Sequence, residues 1–368
     1  MSTHIFILGK DAALSLAELE AVYGKKPAFA VGDSFARLDL KKDLTQADFD
    51  RLGGQVKAGK VAAVLKKGGL VQGLAEILAE GHYSGKLNYG LSVYGWPERN
   101  LRSLLLDLKK EFKRRGISSR FANQAFLNIS TAQSKGLSGG QELLICKSGE
   151  EFLVGRVVAV QDIDAYSQRD YKKPFRDMKV GMLPPKLAQI LINLTGASGR
   201  IWDPFCGGGV LIMEGLLMGH EMLGSDINEK TLAGAQRNIE WLRKAFGARS
   251  EAKLFVHDAR KVLSGEKYDA IAFEGYLGPP QDRLKKKSEL ISVIDELTPL
   301  YLDFFKAIQG FKGPVVAALP FYKTKEGDLS LEKALKGIEK LGFKTDLHLK
   351  YARADQLVGR EVFRFLTS

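Results

Sequence analysis

From about residue 167 to the end, the sequence alternates between strand-like and helix-like segments. Apolar segments GRIWDP, EMLGSD, KLFVHD, YDAIAFE and PVVAALP are separated by amphipathic segments such as EKTLAGAQRNIEWLRKA. This alternation is typical of a parallel sheet, because parallel neighbours need a crossover connection that is usually a helix. The last segments, FKTDLHLKYA and EVFRFLT, predict an antiparallel hairpin that closes the sheet. We therefore predict an α/β, doubly wound domain over residues 167–368.

Acidic residues end three successive strands of this predicted domain. Asp203 ends the first strand, Asp226 the second and Asp258 the third. Open α/β sheets bind ligands at the carboxyl edge of their strands, so these side chains should lie at a ligand site. After Asp203 the turn Gly207–Gly209 opens a helix, and glycines there let a ligand approach the backbone closely. Each acid alone could be a helix cap or a loop residue. The ordered set favours a nucleoside cofactor, with Asp226 at ribose hydroxyls and Asp258 near adenine.

Residues 1–166 have a different pattern. Strand-like HIFIL, FARLDL and VAAVLKK alternate with helix-like segments and predict a small α+β domain over residues 1–80. LNYGLSVYG, FANQAFLNIS, ELLICKS and EFLVGRVVAVQ, with the amphipathic helix LRSLLLDLKKEFKRRG, predict a second α+β domain over residues 86–166. A polar, glycine-containing stretch between them predicts a linker. Ser15 and Glu18 predict a capping box at the first helix.

The chain is strongly basic. Its 55 Lys and Arg residues against 43 Asp and Glu give a net charge of +12, which favours a polyanionic partner. Lysine-rich helices that merely keep a protein in solution would give the same charge, and each cluster alone could be an ordinary solvated surface. The cluster nearest the predicted cofactor domain also contains tyrosines and a phenylalanine that could stack on bases. The candidate RNA-binding residues are Lys109, Lys113, Arg114, Arg115, Lys172, Lys173 and Arg176.

Other features restrict the location and the cofactor class. The two cysteines, Cys146 and Cys206, have no His or Cys neighbours at metal-ligand spacing, so we expect neither a disulfide nor a metal site. No segment has the roughly 20 apolar residues that a membrane span needs, and the N-terminus lacks the apolar core of a secretion signal. We expect a cytoplasmic protein without a membrane partner.

Three segments resemble a known enzyme family. DPFCGGGVLIMEG is similar to the first motif of class I methyltransferases that modify exocyclic amines of nucleic acids, and SDINEKTLAGAQRNIEWL resembles the second. The upstream run RDYKKPFRDMKVGMLPPKLAQILINLTG resembles tRNA guanosine-N2 methyltransferases that carry an RNA-binding THUMP domain, and among them the position-ten type. The resemblance is specific over about residues 167–280. Before that, only the layout is similar, with a ferredoxin-like piece and then a THUMP-like piece.

The resemblance implies a Rossmann-like class I methyltransferase domain, with an N-terminal ferredoxin-like plus THUMP-like region. It also implies S-adenosylmethionine as cofactor and tRNA as partner, with methyl transfer to the exocyclic N2 of a guanosine. The residues that it places at the cofactor are Asp203, Phe205, Cys206, Gly207, Gly209, Asp226, Ile227, Asp258 and Ala259.

The predicted catalytic loop departs from the family pattern. Such enzymes have an Asp or Asn, two prolines and an aromatic residue after the fourth strand, whereas this chain has Glu274-Gly275-Tyr276-Leu277. We expect the Glu274 carboxylate and the Gly275 carbonyl to accept the hydrogens of the target amine, while Tyr276 stacks on the base. Two alternatives stay open: a methyltransferase for DNA or another substrate, and a non-catalytic RNA-binding protein that keeps the cofactor fold. The tRNA nucleotide, the number of methyl groups, the oligomeric state and an accessory subunit also stay open.

Overall fold

The computed structural model describes residues 1–24, 29–31, 34–80, 85–137, 141–176, 182–353 and 356–367. They form two compact units, Met1–Ala165 and Tyr166–Ser368. Most of the predicted linker before residue 86 lies outside the described residues, and so do residues 177–181 of the upstream basic run.

The first unit contains one eight-stranded sheet with helices. Its elements are β1 (Ser2–Leu8), α1 (Ala12–Tyr23), β2 (Phe29–Val31), β3 (Phe35–Leu40), α2 (Gln46–Phe49), β4 (Gln55–Lys66), α3 (Leu70–Ala79), β5 (Leu87–Tyr94), α4 (Arg99–Arg114), β6 (Ser119–Phe121), α5 (Thr131–Gly136), β7 (Glu142–Ser148) and β8 (Glu151–Val160). The strand order is β2-β3-β1-β4-β8-β7-β5-β6. Antiparallel pairing of β4 with β8 therefore joins the strands of residues 1–80 to those of residues 86–166. The division into three domains stays a prediction.

The first helix begins one turn earlier than the predicted capping box. Asp11 is its N-cap and accepts a hydrogen bond from the Leu14 amide. Ser15 is buried inside the helix, where its hydroxyl donates to the carbonyl oxygens of Asp11 and Gly54. The Glu18 carboxylate accepts the Gly54 amide at 2.8 Å. The capping prediction is wrong because both side chains instead bind the backbone where β4 begins.

The strand predicted at FANQAFLNIS is also wrong. Only Phe121 of that segment is in a strand, and a 3₁₀ turn follows at Gln124–Phe126. Along the segment, the Asn123 side chain bonds both the amide and the carbonyl of Leu91. The Asn128 side chain does the same with Val93. Two asparagine side chains thus replace the backbone pairing that a strand would supply.

The second unit has the predicted α/β architecture. After α6 (Ile163–Tyr171), in which the boundary between the units falls, its elements are α7 (Pro185–Thr195), β9 (Ile201–Asp203), α8 (Val210–Leu217), β10 (Met222–Asp226), α9 (Glu229–Phe246), β11 (Ala252–Val256), β12 (Ala270–Glu274), α10 (Ile291–Ala307), β13 (Val315–Tyr322), α11 (Glu332–Lys340), β14 (Phe343–Tyr351) and β15 (Val358–Thr367). The strand order is β11-β10-β9-β12-β13-β15-β14. The first five strands are parallel neighbours and β15 pairs antiparallel with β13 and β14, which confirms the closing hairpin.

The centre of this sheet is rigidly packed. Trp202 of β9 is fully buried, and its indole nitrogen donates to the Ser225 hydroxyl of β10 at 3.0 Å. Phe273 of β12 packs edge-to-face on Phe304 of α10, with ring centroids 5.0 Å apart. The strand order reverses between β9 and β12, and such a switch point opens a crevice at the carboxyl ends of the strands. The core therefore fixes the strands whose ends carry the predicted site.

Candidate functional site

A cavity of about 520 Å³ lies at the carboxyl ends of β9, β10 and β12. The candidate cofactor residues that line it are Asp203, Phe205, Cys206, Gly207, Asp226 and Ile227, and the candidate catalytic residues that line it are Glu274, Gly275 and Tyr276. Residues from three separate strand ends thus face one space of the size that ligand pockets have.

Three predicted cofactor residues lie outside this lining. Gly209 has a φ of +76° and is the N-cap of α8, so it shapes the glycine turn without lining the cavity. Asp258 binds Arg260 through both carboxylate oxygens, and these hydrogen bonds lower the pKa of Asp258. Asp258 lines a separate surface hollow with Lys261, and Ala259 is buried beside the sheet core. The role of Asp258 at adenine and the place of Ala259 at the cofactor stay predictions.

The glycine turn is held against β10 by its own backbone. The Asp226 carboxylate accepts the amides of Gly207 at 3.0 Å and Asn228 at 2.8 Å. The Cys206 amide donates to the Ser225 carbonyl at 3.0 Å, and Gly207 has a φ of +48° that favours glycine. Asp226 therefore both lines the cavity and fixes the turn beside it.

A residue that the sequence analysis missed holds the upstream segment over this turn. The Asn238 side chain of α9 bonds the amide of Phe175 at 2.8 Å and its carbonyl at 3.0 Å. The same amide group donates to the Gly208 carbonyl at 2.8 Å. The Phe175 ring lies so close to Gly234 that a side chain there would collide with it. The sequence signal for this contact is that Asn238 is a polar residue on the apolar face of the amphipathic helix α9.

The cavity holds carboxyl groups away from water. Asp203 is 3% exposed and accepts the Phe205 amide at 3.0 Å. Burial raises the pKa of Asp203 well above its ordinary value, and the nearby carboxyl groups of Asp226 and Glu274 raise it further. A bound cation would reverse this effect, because it stabilises the ionised form. The cavity therefore suits a ligand with positive charge.

Glu274 has a buried ionic partner that sequence reasoning did not find. The Arg360 Nε of β15 donates to Glu274 Oε1 at 2.7 Å, with the two side chains 3% and 13% exposed. Burial raises the pKa of Glu274, and the Arg360 guanidinium opposes that rise. Arg360 follows Glu274 by 86 residues, so no local motif points to the pair.

Two buried tyrosines anchor the loop after Glu274. The Tyr301 hydroxyl donates to the Tyr276 carbonyl at 2.7 Å, and the Tyr322 hydroxyl donates to the Leu277 carbonyl at 2.7 Å. Gly275 is required here, because a Cβ atom at that position would collide with the Tyr301 ring. The Gly275 amide donates to the Ala318 carbonyl at 3.0 Å. Gly275, which stands where the similar enzymes have a proline, therefore belongs to a well-anchored loop, and the Tyr276 side chain is 41% exposed.

The candidate RNA-binding residues differ in their surroundings. On α4, Lys109 and Lys113 are exposed, whereas Arg114 and Arg115 both bind Glu111. Arg114 and then Arg115 lower the pKa of Glu111 to about 2.

In the second unit Lys172 is exposed, and the Arg176 guanidinium lies 5.4 Å from the centre of the Tyr171 ring. Lys173 differs from the other candidates because it is buried. Its ammonium group donates to the carbonyl oxygens of Arg169 and Asp170, and the side chain lines the cavity. Lys173 therefore faces its own segment and not the surface.

Comparisons with known proteins agree with this geometry. Residues 173–274 match the family model described as "RMKL-like, methyltransferase domain". This segment is therefore similar to a methyltransferase domain. It contains the glycine turn and Asp226, and it ends at Glu274.

Curated relatives match part of the chain. A tRNA (guanine(10)-N2)-dimethyltransferase of Methanothermobacter thermautotrophicus is 31% identical over 176 residues, which cover 47% of this chain and 48% of the relative. The enzyme of the same name from Pyrococcus abyssi is 36% identical over 108 residues, which cover 27% of this chain and 31% of the relative. The chain thus spans half or less of the length of these relatives.

Solved structures share the fold. TrmN from Thermus thermophilus has a TM-score of 0.55 at 17% identity, with all of both chains covered. A possible methylase from Clostridium difficile 630 has a TM-score of 0.52 at 13% identity, with 100% of this chain and 98% of the other covered. These likenesses confirm the predicted Rossmann-like methyltransferase fold with an N-terminal α+β region.

In the described ranges, no group of three or more His, Cys, Asp and Glu side chains is placed to hold a metal ion. No described helix is both long and apolar enough to cross a membrane.

Proposed function

We propose that the chain transfers a methyl group from S-adenosylmethionine to the exocyclic N2 of a guanosine in tRNA. The observation that carries the proposal is the shared cavity of the glycine turn, Asp226 and the loop from Glu274 to Tyr276. The names of the curated relatives support tRNA as the substrate. That substrate also favours a cytoplasmic location.

The residues present fit this cofactor. S-adenosylmethionine, when bound, supplies a methyl group on a positively charged sulfur. Asp226 lies where ribose hydroxyls are bound in this fold, and the glycine turn leaves room beside the helix N-terminus. A positive charge bound beside Asp203 would stabilise the ionised form of this carboxyl group, which burial disfavours.

The loop residues would act on the target amine. The lone pair of a guanine N2 is delocalised into the ring, so the enzyme mainly has to orient the amine and accept its hydrogen bonds. The Glu274 carboxylate and the Gly275 carbonyl are the acceptors, and the exposed ring of Tyr276 stacks on the base. The amine loses its proton to solvent after methylation, so no basic side chain is required.

Incubation of tRNA lacking the modification with methyl-labelled S-adenosylmethionine tests this function. Nucleosides from the digested tRNA, identified by mass, should include N2-methylguanosine or its dimethyl form. The variant Asp226→Ala should bind cofactor at least about tenfold more weakly in calorimetry, because a charge-assisted hydrogen-bond pair is lost.

Two results would contradict the proposal. Methylation of DNA but not of tRNA would favour an amino-methyltransferase for DNA. A parent protein that binds cofactor and RNA but methylates no tRNA would favour the non-catalytic alternative.

A further inference from the structure

Glu274 and Arg360 lie on the same sheet but not on neighbouring strands. Glu274 ends β12 and pairs with Ala318 of β13, while Arg360 of β15 pairs with Pro320 of β13. The guanidinium therefore reaches past one strand to bind the carboxylate. Arg360 is buried and Glu274 is only 13% exposed, and an ion pair so shielded from water is often no more stabilising than apolar residues of equal volume. Its presence at the cavity calls for a role other than stability.

The contacts of the carboxylate are asymmetric. Arg360 holds Oε1. None of the described residues donates a hydrogen bond to Oε2. Oε2 is also absent from the set of buried, unpartnered side-chain atoms, so it is not buried. Glu274 also lines the cavity. One oxygen is thus fixed from the sheet side, and the other is available to a group in the cavity.

We propose that Arg360 is a positioning residue for methyl transfer, an inference that rests on the proposed function. Its guanidinium fixes Glu274 Oε1 and directs Oε2 at an N–H of the target amine. Glutamate is one methylene longer than the aspartate of related enzymes and has one more rotatable bond, so it needs such an anchor. The glutamate in this loop and the arginine on β15 form one functional pair.

A guanidinium group donates hydrogen bonds and accepts none, so glutamine in place of Glu274 tests the role of Arg360. In Glu274→Gln, Arg360 should hold the amide oxygen, so that the NH₂ group faces the amine. That variant has a donor where an acceptor is needed and should be slow. Adding Arg360→Met frees the amide to turn its oxygen to the substrate. The double variant should therefore react at least as fast as Glu274→Gln alone.

Single-turnover methyl transfer to tRNA is the measurement, made on the full chain with cofactor affinity followed in parallel. Arg360→Met alone should slow transfer by about 10- to 100-fold, as for other residues that orient a catalytic group, and Arg360→Lys by less. Cofactor affinity should not change. Arg364→Met is the matched control: it removes an arginine of the same strand that binds Asp346, and it should leave the rate unchanged.

The outcomes separate the two proposals. A double variant slower than Glu274→Gln, or an unchanged rate in Arg360→Met, overturns the role of Arg360 alone. An inactive parent overturns the proposed function and this inference with it. If Arg360→Met does not fold, two variants still test the role of Arg360. One is the double variant, which has no unpaired buried charge, and the other is Arg360→Lys.

Discussion

Burial favours the protonated form of the Asp203 carboxyl group. Burial raises its pKa well above the ordinary value of 3.8. Between the ordinary and the raised pKa, the folded protein binds more protons at this carboxyl group than the unfolded chain does. The free energy of unfolding therefore falls as the pH rises through that interval. In the absence of a bound cation, Asp203 makes the fold less stable at neutral pH.

We expect Asp203→Asn to stabilise the cofactor-free protein and to weaken cofactor binding. Asparagine keeps an acceptor for the Phe205 amide but has no titratable group. The difference in melting temperature between variant and parent should grow as the pH rises above the ordinary pKa of 3.8. Calorimetry should show weaker binding of S-adenosylmethionine, because the negative charge near the cation is lost.

A matched control is available at Asp269, which is exposed and accepts the Arg200 amide at 2.8 Å. Asp269→Asn removes a carboxylate that accepts a backbone amide but lies outside the cavity lining, so it should leave the affinity for S-adenosylmethionine unchanged. Parallel melting curves for Asp203→Asn and the parent at every pH would contradict the interpretation of Asp203.

At the scale of elements, the proposed catalytic loop after Glu274 is held by a helix and a strand. Tyr301 of α10 and Tyr322 of β13 each donate a hydroxyl to one loop carbonyl. Prolines would restrict the backbone of such a loop by their rings. Here two hydrogen bonds from buried tyrosine side chains restrict the loop backbone instead. The neighbouring Gly275 has no side chain, which leaves space for the Tyr301 ring.

Tyr301→Phe and Tyr322→Phe should each slow methyl transfer by roughly tenfold, because a displaced acceptor misaligns the amine. Each change leaves a buried carbonyl without its donor, so the free energy of unfolding should fall by about 1–3 kcal/mol. Single-turnover rates and chemical denaturation measure the two effects.

Tyr268→Phe is the control for these changes. Its ring packs on Trp202 with centroids 5.0 Å apart, and its hydroxyl has no hydrogen bond to another described residue. This variant should keep the parent rate. Equal rates for all three variants would show that the tyrosine hydroxyls do not anchor the loop for catalysis.

The order of the elements could be predicted from the sequence, and the pairing of their side chains could not. Apolar periodicity and the acids at strand ends predict the parallel sheet and the positions of Asp203, Asp226 and Glu274. Asn238 and Arg360 act on residues 63 and 86 positions away, so their contacts exist only once the sheet has formed. The wrong capping at Ser15 has the same cause, since its partner Gly54 lies 39 residues further on.

At the scale of the whole molecule, the exposed lysines of α4 and the candidate cofactor cavity lie in different parts of the chain. The exposed lysines of α4 belong to the unit Met1–Ala165, whereas the acidic cavity belongs to Tyr166–Ser368. We therefore expect RNA docking to depend on the first unit and cofactor binding on the second.

A fragment of residues 162–368, which keeps α6 whole, should bind S-adenosylmethionine as the full chain does and tRNA much more weakly. Full-chain binding should fall steeply as salt rises, since each phosphate contact releases counterions. Lys109→Ala with Lys113→Ala should reduce the salt slope by about 2. Fluorescence anisotropy with labelled tRNA measures both, and equally tight binding by the fragment would refute the assignment.

Lys110→Ala is the control on the same helix, because Lys110 is exposed but bound to Asp107 at 3.1 Å. It should change the salt slope less than either Lys109→Ala or Lys113→Ala.

The single sheet of the first unit also determines when that unit can be completed during synthesis. Among the described strands, β1 covers one edge of β4 and β8 covers the other. The side chain of Gln161, next to β8, bonds the carbonyl of Gln55, 106 residues earlier. At about 5–20 residues per second, a ribosome needs roughly 5 to 20 s to make that stretch. For that time the nascent chain exposes an unpaired strand edge, a period when it is vulnerable to aggregation.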